Sequence, residues 1–500
     1  MAENKQRFPG FVGPAYQSRS ERFDAQRLVN FYIEMDELGS GKGGEPAVLI
    51  STPGLKYQQS IGNGPIRCTY TQSNTATAWV VSGKQVFTIT GANAIPVLVS
   101  GTMSSSIGPV QAADNGTQVI FVDGTDGYYV DTTVTPLALV RIVDPNFHAT
   151  DTITFQDGYF IGVDKGVDGA GTGNFFISDL YSIDFLPLNE ANASGASDIL
   201  VAGISCNRQL YLLGAKSLEI WFDQGGSAST PFARQDGRFS QVGCAAPNSI
   251  AVVGETFFWL GSNSQGGGIV YTLENAMPQR VSNHAIEYAI QGLTNLSGAT
   301  AYSYQQEGHF FYCLNIPGTN TTWVYDTSCK QWHERQSSPQ GNTGRHFGNT
   351  HCILNGLHIV GDYRNGNIYL YDLDTYTDNG DVVNRIRQSP HVSQSLNRLF
   401  YKLLEVDMQM GVGLDAILDP VTGDMIQGSD PKIVLEISND GGQTWTNPIY
   451  ASIGKIGQYR NRARWQRLGS SRDRVFRVTV SEPVRCTILS AFLDVEQGQA

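Results

Sequence analysis

Charge is scarce in this chain of 500 residues: Asp, Glu, Lys and Arg make up 16% of it, against roughly 25% in ordinary globular domains. Long apolar runs are missing, and none reaches the ~18 residues that a membrane-crossing helix requires. The opening MAENKQRFPGFVG lacks the apolar core of a secretory leader, so none is expected. The seven cysteines never form a CxxC pair and sit mostly inside apolar runs such as HFFYCLNI (309–316). An odd number in such settings points to buried thiols in a reducing compartment, not to a disulfide framework. Helical periodicity is nearly absent. It is confined to SERFDAQRLV (20–29) and to NHAIEYAIQGL (283–293), where Ala285, Ile286, Ala289 and Ile290 make a one-turn stripe. A helical enzyme is therefore excluded as the working class.

What is present is turn-forming and aromatic: 55 Gly, 22 Tyr and 23 Phe. That mixture describes an all-β protein with many tight turns. From about 62 to 380 one unit recurs, a short apolar strand, a Gly/Asn/Asp turn and a second strand. It occurs at 75–90, 116–131, 152–166, 207–222, 249–274, 309–334 and 351–374. Spacings of roughly 35–50 residues are the blade period of β-propellers, and six or seven blades fit. The expected architecture is a β-propeller over 61–385 and an antiparallel β-sandwich-like platform over 386–500. Residues 1–60 are expected to be an arm whose strand packs with the C-terminal domain, with a Gly-rich hinge at 39–44.

The last part of the chain breaks the charge pattern. Between Lys455 and Arg485, nine cations face only Asp473 and Glu482, a net +7. The whole chain is −12, so the remainder carries −19. Strand alternation places Arg460, Arg462 and Arg464 on one face, with Ala463 and Trp465 on the other. In the next strand Phe476, Val478 and Val480 point inward and Arg477 outward. With Arg467 these arginines form a candidate subunit or adaptor interface, because guanidinium groups pair bidentately with carboxylates and phosphates. The plainer alternative is a solvated sheet face with internal ion pairs. An acidic surface on a like subunit is the expected partner; nucleic acid ranks below it, since the sequence pI is 5.1.

SNDGGQTW (438–445) matches the Asp-box pattern S-x-D-x-G-x-T-W of sialidase-type propellers. Ser438, Asp440, Gly442 and Trp445 are then parts of a stabilising turn, not catalysts. A glycosidase needs paired carboxylates about 5–10 Å apart, and no carboxylate here sits in a distinctive motif. Arg385-Ile386-Arg387 comes nearest to the sialidase Arg-Ile-Pro and lacks its proline. His333, His346, His351 and His358 lie near one another without an HxH or HExxH pattern. DLDTYTDNGD (372–381) reads as a solvated acidic loop without EF-hand spacing. GGGIV and GAGTGN lack a Walker lysine. The expectation is a non-enzyme with no catalytic residue, metal or cofactor; a propeller glycan-binding protein or glycosidase is the alternative.

The C-terminal run, SNDGGQTW followed by GQYRNRARWQRLGSSRDRVFRVTVSEPV (457–484), resembles the C-terminal region of tail hub proteins of short-tailed bacteriophages. These are also called nozzle or packaged-DNA stabilisation proteins. RLVNFYIE (27–34) with the later Pro53-Gly54 turn fits the same family. The resemblance implies a structural protein of the virion tail, assembled in the host bacterial cytoplasm. It implies a hexameric ring below the portal and its adaptor ring, with a tailspike, fibre or plug attached. It further implies that phage DNA passes through the lumen without sequence-specific binding, is retained there after packaging, and leaves by that route at ejection.

Overall fold

The computed structural model describes residues 5–37, 46–193, 195–225, 230–414, 417–427 and 430–498. The hinge expected at 39–44 lies outside them. Apolar–polar alternation with Gly, Asn or Asp at each reversal builds hairpin after hairpin. Asn355 and Gly356, at φ 51° and 77°, join Gly348–Leu354 to Leu357–Asp362. This is the left-handed pair that a two-residue reversal demands and that Asn-Gly adopts readily.

Among the described residues the hairpins assemble into seven sheets at 66–98, 111–141, 153–192, 200–240, 243–280, 300–337 and 348–372. Each unit read from the sequence falls in its own sheet. Each sheet touches the next, and Gly348–Leu354 of the last packs on Ile66–Thr71 of the first, so the propeller ring closes. Seven separate hydrophobic clusters fill the seven gaps. Rings bridge them: Trp79 to Phe121 at 5.8 Å, Phe175 to Trp221 at 5.1 Å, Phe258 to Tyr312 at 5.4 Å. The aromatic content is spent here, where large rigid rings span the space between splayed sheets.

The ring is latched from the N-terminal side. Gly54–Ser60, expected to belong to the arm, instead pairs with Asn367–Asp372 as the fourth strand of the seventh sheet. That sheet otherwise ends in an open edge of unpaired backbone groups, which the segment satisfies.

The sandwich draws on both chain ends. One layer runs Phe31–Met35, Ala47–Ser51, Thr487–Gln497, Leu399–Met408, Ala463–Gln466. The other runs Arg27–Val29, Arg385–Gln388, Asp473–Val480, Lys432–Ser438, Ile449–Ser452. Phe31, Leu49, Leu404, Ile433, Trp465 and Phe476 fill the space between them. The second layer continues into the sixth propeller sheet where Val29 pairs in parallel with Glu334, giving one 11-stranded sheet. Propeller and sandwich are thus joined by backbone hydrogen bonds.

His284–Gln291 is an α-helix, and the Asn283 side chain caps it by accepting from the Ile286 N–H. SERFDAQRLV is not a helix: it makes a turn at 21–23 and then the strand Arg27–Val29. Leu28 and Val29 are both fully buried, one after the other. Backbone pairing with Arg385–Gln388 on one side and Glu334 on the other holds this segment extended. All seven thiols are free, and only Cys329 is partly exposed. No helix among the described residues is long and apolar enough to cross a membrane.

Candidate functional site

Ala463–Gln466 and Asp473–Val480 belong to different sandwich layers. Ala463 and Trp465 point inward from one layer, and Phe476, Val478 and Val480 inward from the other. Arg464 and Arg477 therefore lie on opposite outer surfaces, not on the single face that alternation suggested. The chain pairs Ser470–Ser471 with the first layer and only then crosses to the second, a path that local periodicity does not encode.

On the first surface Glu405 gathers three cations, Lys5 at 2.6 Å, Arg464 at 3.1 Å and Arg462 at 3.7 Å. Arg460 and Arg467 stay exposed. On the second, Arg477 donates from Nε to Glu436 at 2.8 Å and lies 4.0 Å over the Trp445 ring. The tryptophan of SNDGGQTW is thus a platform for one of the candidate interface arginines. Within that run the Gly442 N–H donates to Ser438 Oγ at 2.8 Å, and Asp440 accepts from the Thr444 hydroxyl and N–H and from the Ser438 hydroxyl. These donors, Thr444 first, hold the Asp440 carboxyl well below the usual carboxylate range. A carboxylate so occupied locks a turn.

Three arginines outside the basic tail are buried to 1% exposure or less. Arg387 is fully buried; it donates to the Phe11 carbonyl at 2.6 Å, the Gly10 carbonyl at 2.7 Å and Gln26 Oε1 at 2.7 Å. Burial pulls its pKa down to about 9. Arg385 donates to the carbonyls of Tyr376 and Glu482, both at 3.0 Å. Arg335 donates to the Pro53 carbonyl at 2.7 Å and lies 4.8 Å over the Tyr371 ring. The planar guanidinium, with its five donors, is the side chain that can bind several carbonyls of different segments at once. The sequence drew notice to Arg385 and Arg387 only as an incomplete sialidase signature and to Arg335 not at all, because arginine is read as a surface residue until its surroundings are known.

The propeller axis holds a cavity of about 760 Å³, walled by Thr69, Thr154, Ser205, Gln305 and Thr350 among others, with no Asp or Glu among the described residues of its lining. The four histidines noted in the sequence do not converge. Only His351 and His358 meet, with ring nitrogens 3.0 Å apart; burial takes His351 down to about 3, so it is neutral. Among the described residues no three His, Cys, Asp or Glu are arranged to hold a metal ion. The 372–381 loop is not wholly solvated: Asp378 is buried, accepts from the Ser337 hydroxyl at 2.5 Å, and lies 3.6 Å from His346.

His391 ties the arm to the sandwich, with Nδ1 2.8 Å from Asp473 and Nε2 2.8 Å from the Glu21 carbonyl. Both ring nitrogens face acceptors, so only the imidazolium satisfies both. Its pKa is raised, first by the Asp473 hydrogen bond. A raised folded-state pKa adds stability that is complete below the ordinary value, 6.5, and fades as pH climbs through the folded value. Protease cleavage of residues 15–26 is therefore expected to be slower at pH 5.5 than at pH 8.5, about these pH values. His391→Gln should remove that difference; an unchanged pH dependence in the variant would sink the assignment.

Residues 6–376 match the family described as bacteriophage P22 Gp10, beta-propeller, and residues 384–496 match the one described as bacteriophage P22 Gp10, beta-sandwich. No curated protein matches the chain. Among solved structures it is similar to the computationally designed Ika8 protein, at 10% identity and TM-score 0.37, over 64% of this chain and 99% of that one. It is also similar to YCF48 bound to D1 peptide, at 9% identity and TM-score 0.38, over 64% of this chain and 99% of that one.

Proposed function

The chain belongs to the bacteriophage P22 Gp10 family, the tail hub and DNA-stabilising proteins of short-tailed virions, and on that premise we propose that it forms a ring that continues the portal channel. In this reading the ring sits below the portal-adaptor ring, retains packaged DNA, lets it out at ejection, and offers attachment to a tailspike, fibre or plug. The observation that carries it is the match of both halves of the chain, in order, to the two parts of that family.

Three physical features support it. The 11-stranded sheet shared by propeller and sandwich makes a stiff building block suited to a load-bearing wall. The propeller's own channel, about 760 Å³, has the size of a small-ligand pocket, roughly 300–1,000 Å³, and admits no duplex. DNA then passes between subunits, along the axis of the assembly. A net charge of −12 repels the phosphate backbone, so the duplex slides and retention is mechanical. Electron microscopy of assembled tails should show a closed ring of this chain coaxial with the DNA, and particles lacking it should lose their DNA. A stable monomer that hydrolyses glycans would overturn the reading.

A further inference from the structure

We propose that copies of this chain join head to tail, the basic end of one sandwich docking on the third propeller sheet of the next copy. This rests on the ring reading above and names its contact. Residues 449–467 hold Lys455, Arg460, Arg462, Arg464 and Arg467 and no carboxylate. Glu405, from outside the segment, already engages Arg462 and Arg464, which leaves Lys455, Arg460 and Arg467 facing outward. In the same segment Tyr450, Ile456 and Tyr459 are exposed by 61%, 58% and 72%. Apolar side chains so exposed, rimmed by charge of one sign, mark an interaction surface.

The third sheet presents the counterpart. Residues 157–198 hold seven carboxylates against one cation, Lys165, and that lysine is paired with Asp151 at 3.0 Å. Leu180, Tyr181, Leu186 and Leu188 are exposed by 52%, 65%, 48% and 74%, interleaved with exposed Asp179 and Asp184. The hydrogen bonds of those two carboxylates are local, to the Leu180 N–H and the Ser182 hydroxyl. Each patch thus joins apolar groups to charges of one sign, and the signs are opposite, as complementary surfaces require.

Their placement excludes self-closure. The sandwich grows out of the sixth sheet and adjoins the latch strand of the seventh. In a closed ring of seven sheets the third lies across the axis from that seam. One copy cannot bring its two patches together, whereas a file of copies can, and a heterologous contact of this kind closes into a ring when the rotation permits.

The test uses the full chain in its assembled form. Lys455 is the only primary amine in 449–467, so a zero-length carboxylate–amine cross-linker should join it to Asp179 or Asp184 of another copy, read by mass spectrometry. Lys455→Glu with Arg460→Glu, and separately Asp179→Lys with Asp184→Lys, should each weaken self-association at least about tenfold through like-charge contact. Combining all four substitutions should restore it. An assembled ring lacking this cross-link and indifferent to both reversals overturns the contact and leaves the ring standing. A chain that is monomeric in particles and in solution overturns both.

Discussion

Replacing Gly54 with alanine is expected to unlatch the propeller. A Cβ there would stand 2.2 Å from the Thr375 carbonyl oxygen and 2.6 Å from that of Thr377. Both are backbone atoms, so no flexible side-chain end can swing aside. The same glycine donates its N–H to the Thr375 carbonyl at 3.0 Å and pairs in register with Asp372. Its neighbour Pro53 is held by buried Arg335. The Pro-Gly pair that helped to place the family is therefore a wedge where three segments cross. Overpacking a site without slack costs typically 1–3 kcal/mol and at times more; about 3 kcal/mol is expected here. The strand Gly54–Ser60 should leave the seventh sheet, lowering the urea midpoint and exposing the amides of 54–60 and 367–372 to hydrogen exchange. Wild-type protection at those amides in the variant would show that the latch accommodates a side chain.

Arg387→Met is expected to free the N-terminal arm while the propeller stays folded. Methionine fills most of the volume but donates nothing. The Gly10 and Phe11 carbonyls and Gln26 Oε1 would each lose a donor inside the protein, at about 1–3 kcal/mol apiece. Burying a cation without a carboxylate partner is itself unfavourable, as the depressed pKa of about 9 records, so relief of that cost offsets part of the loss. Three acceptor losses at mid-range come to about 6 kcal/mol, and with the desolvation relief set against them a net loss of about 3 kcal/mol is expected. Protease should then cut residues 10–26 quickly, while hydrogen exchange in 66–98 remains slow. Arg387→Lys keeps the charge but not the fork, and should restore protection only in part. Arm protection equal to wild type in the Met variant would remove Arg387 from its assigned place.

Both sites show where sequence reading stops. The turn at SNDGGQTW was legible because its donors and acceptors lie within a few residues of one another. The basic tail was legible as a charge anomaly, and the inward set Ala463, Trp465, Phe476, Val478 and Val480 followed from alternation. That its arginines occupy two surfaces was not legible, because alternation orients a side chain within a strand and says nothing about which layer the strand joins. The helix expected over 20–29 failed for a related reason: Leu28 and Val29 are placed by Arg385–Gln388 and Glu334, more than 300 residues away.

By itself the amino-acid order determined whatever is local. Period-two alternation, turn residues at regular intervals and abundant aromatics specify hairpins, and nearly all of each propeller sheet is contiguous in the chain, so the sheets can be counted along it. The tertiary structure alone decided the long-range closures: 54–60 into the seventh sheet, Val29 beside Glu334, Arg387 against Gly10 and Phe11. Those contacts depend on open sheet edges and buried carbonyls that exist only once the rest has folded, and no spacing in the sequence anticipates them.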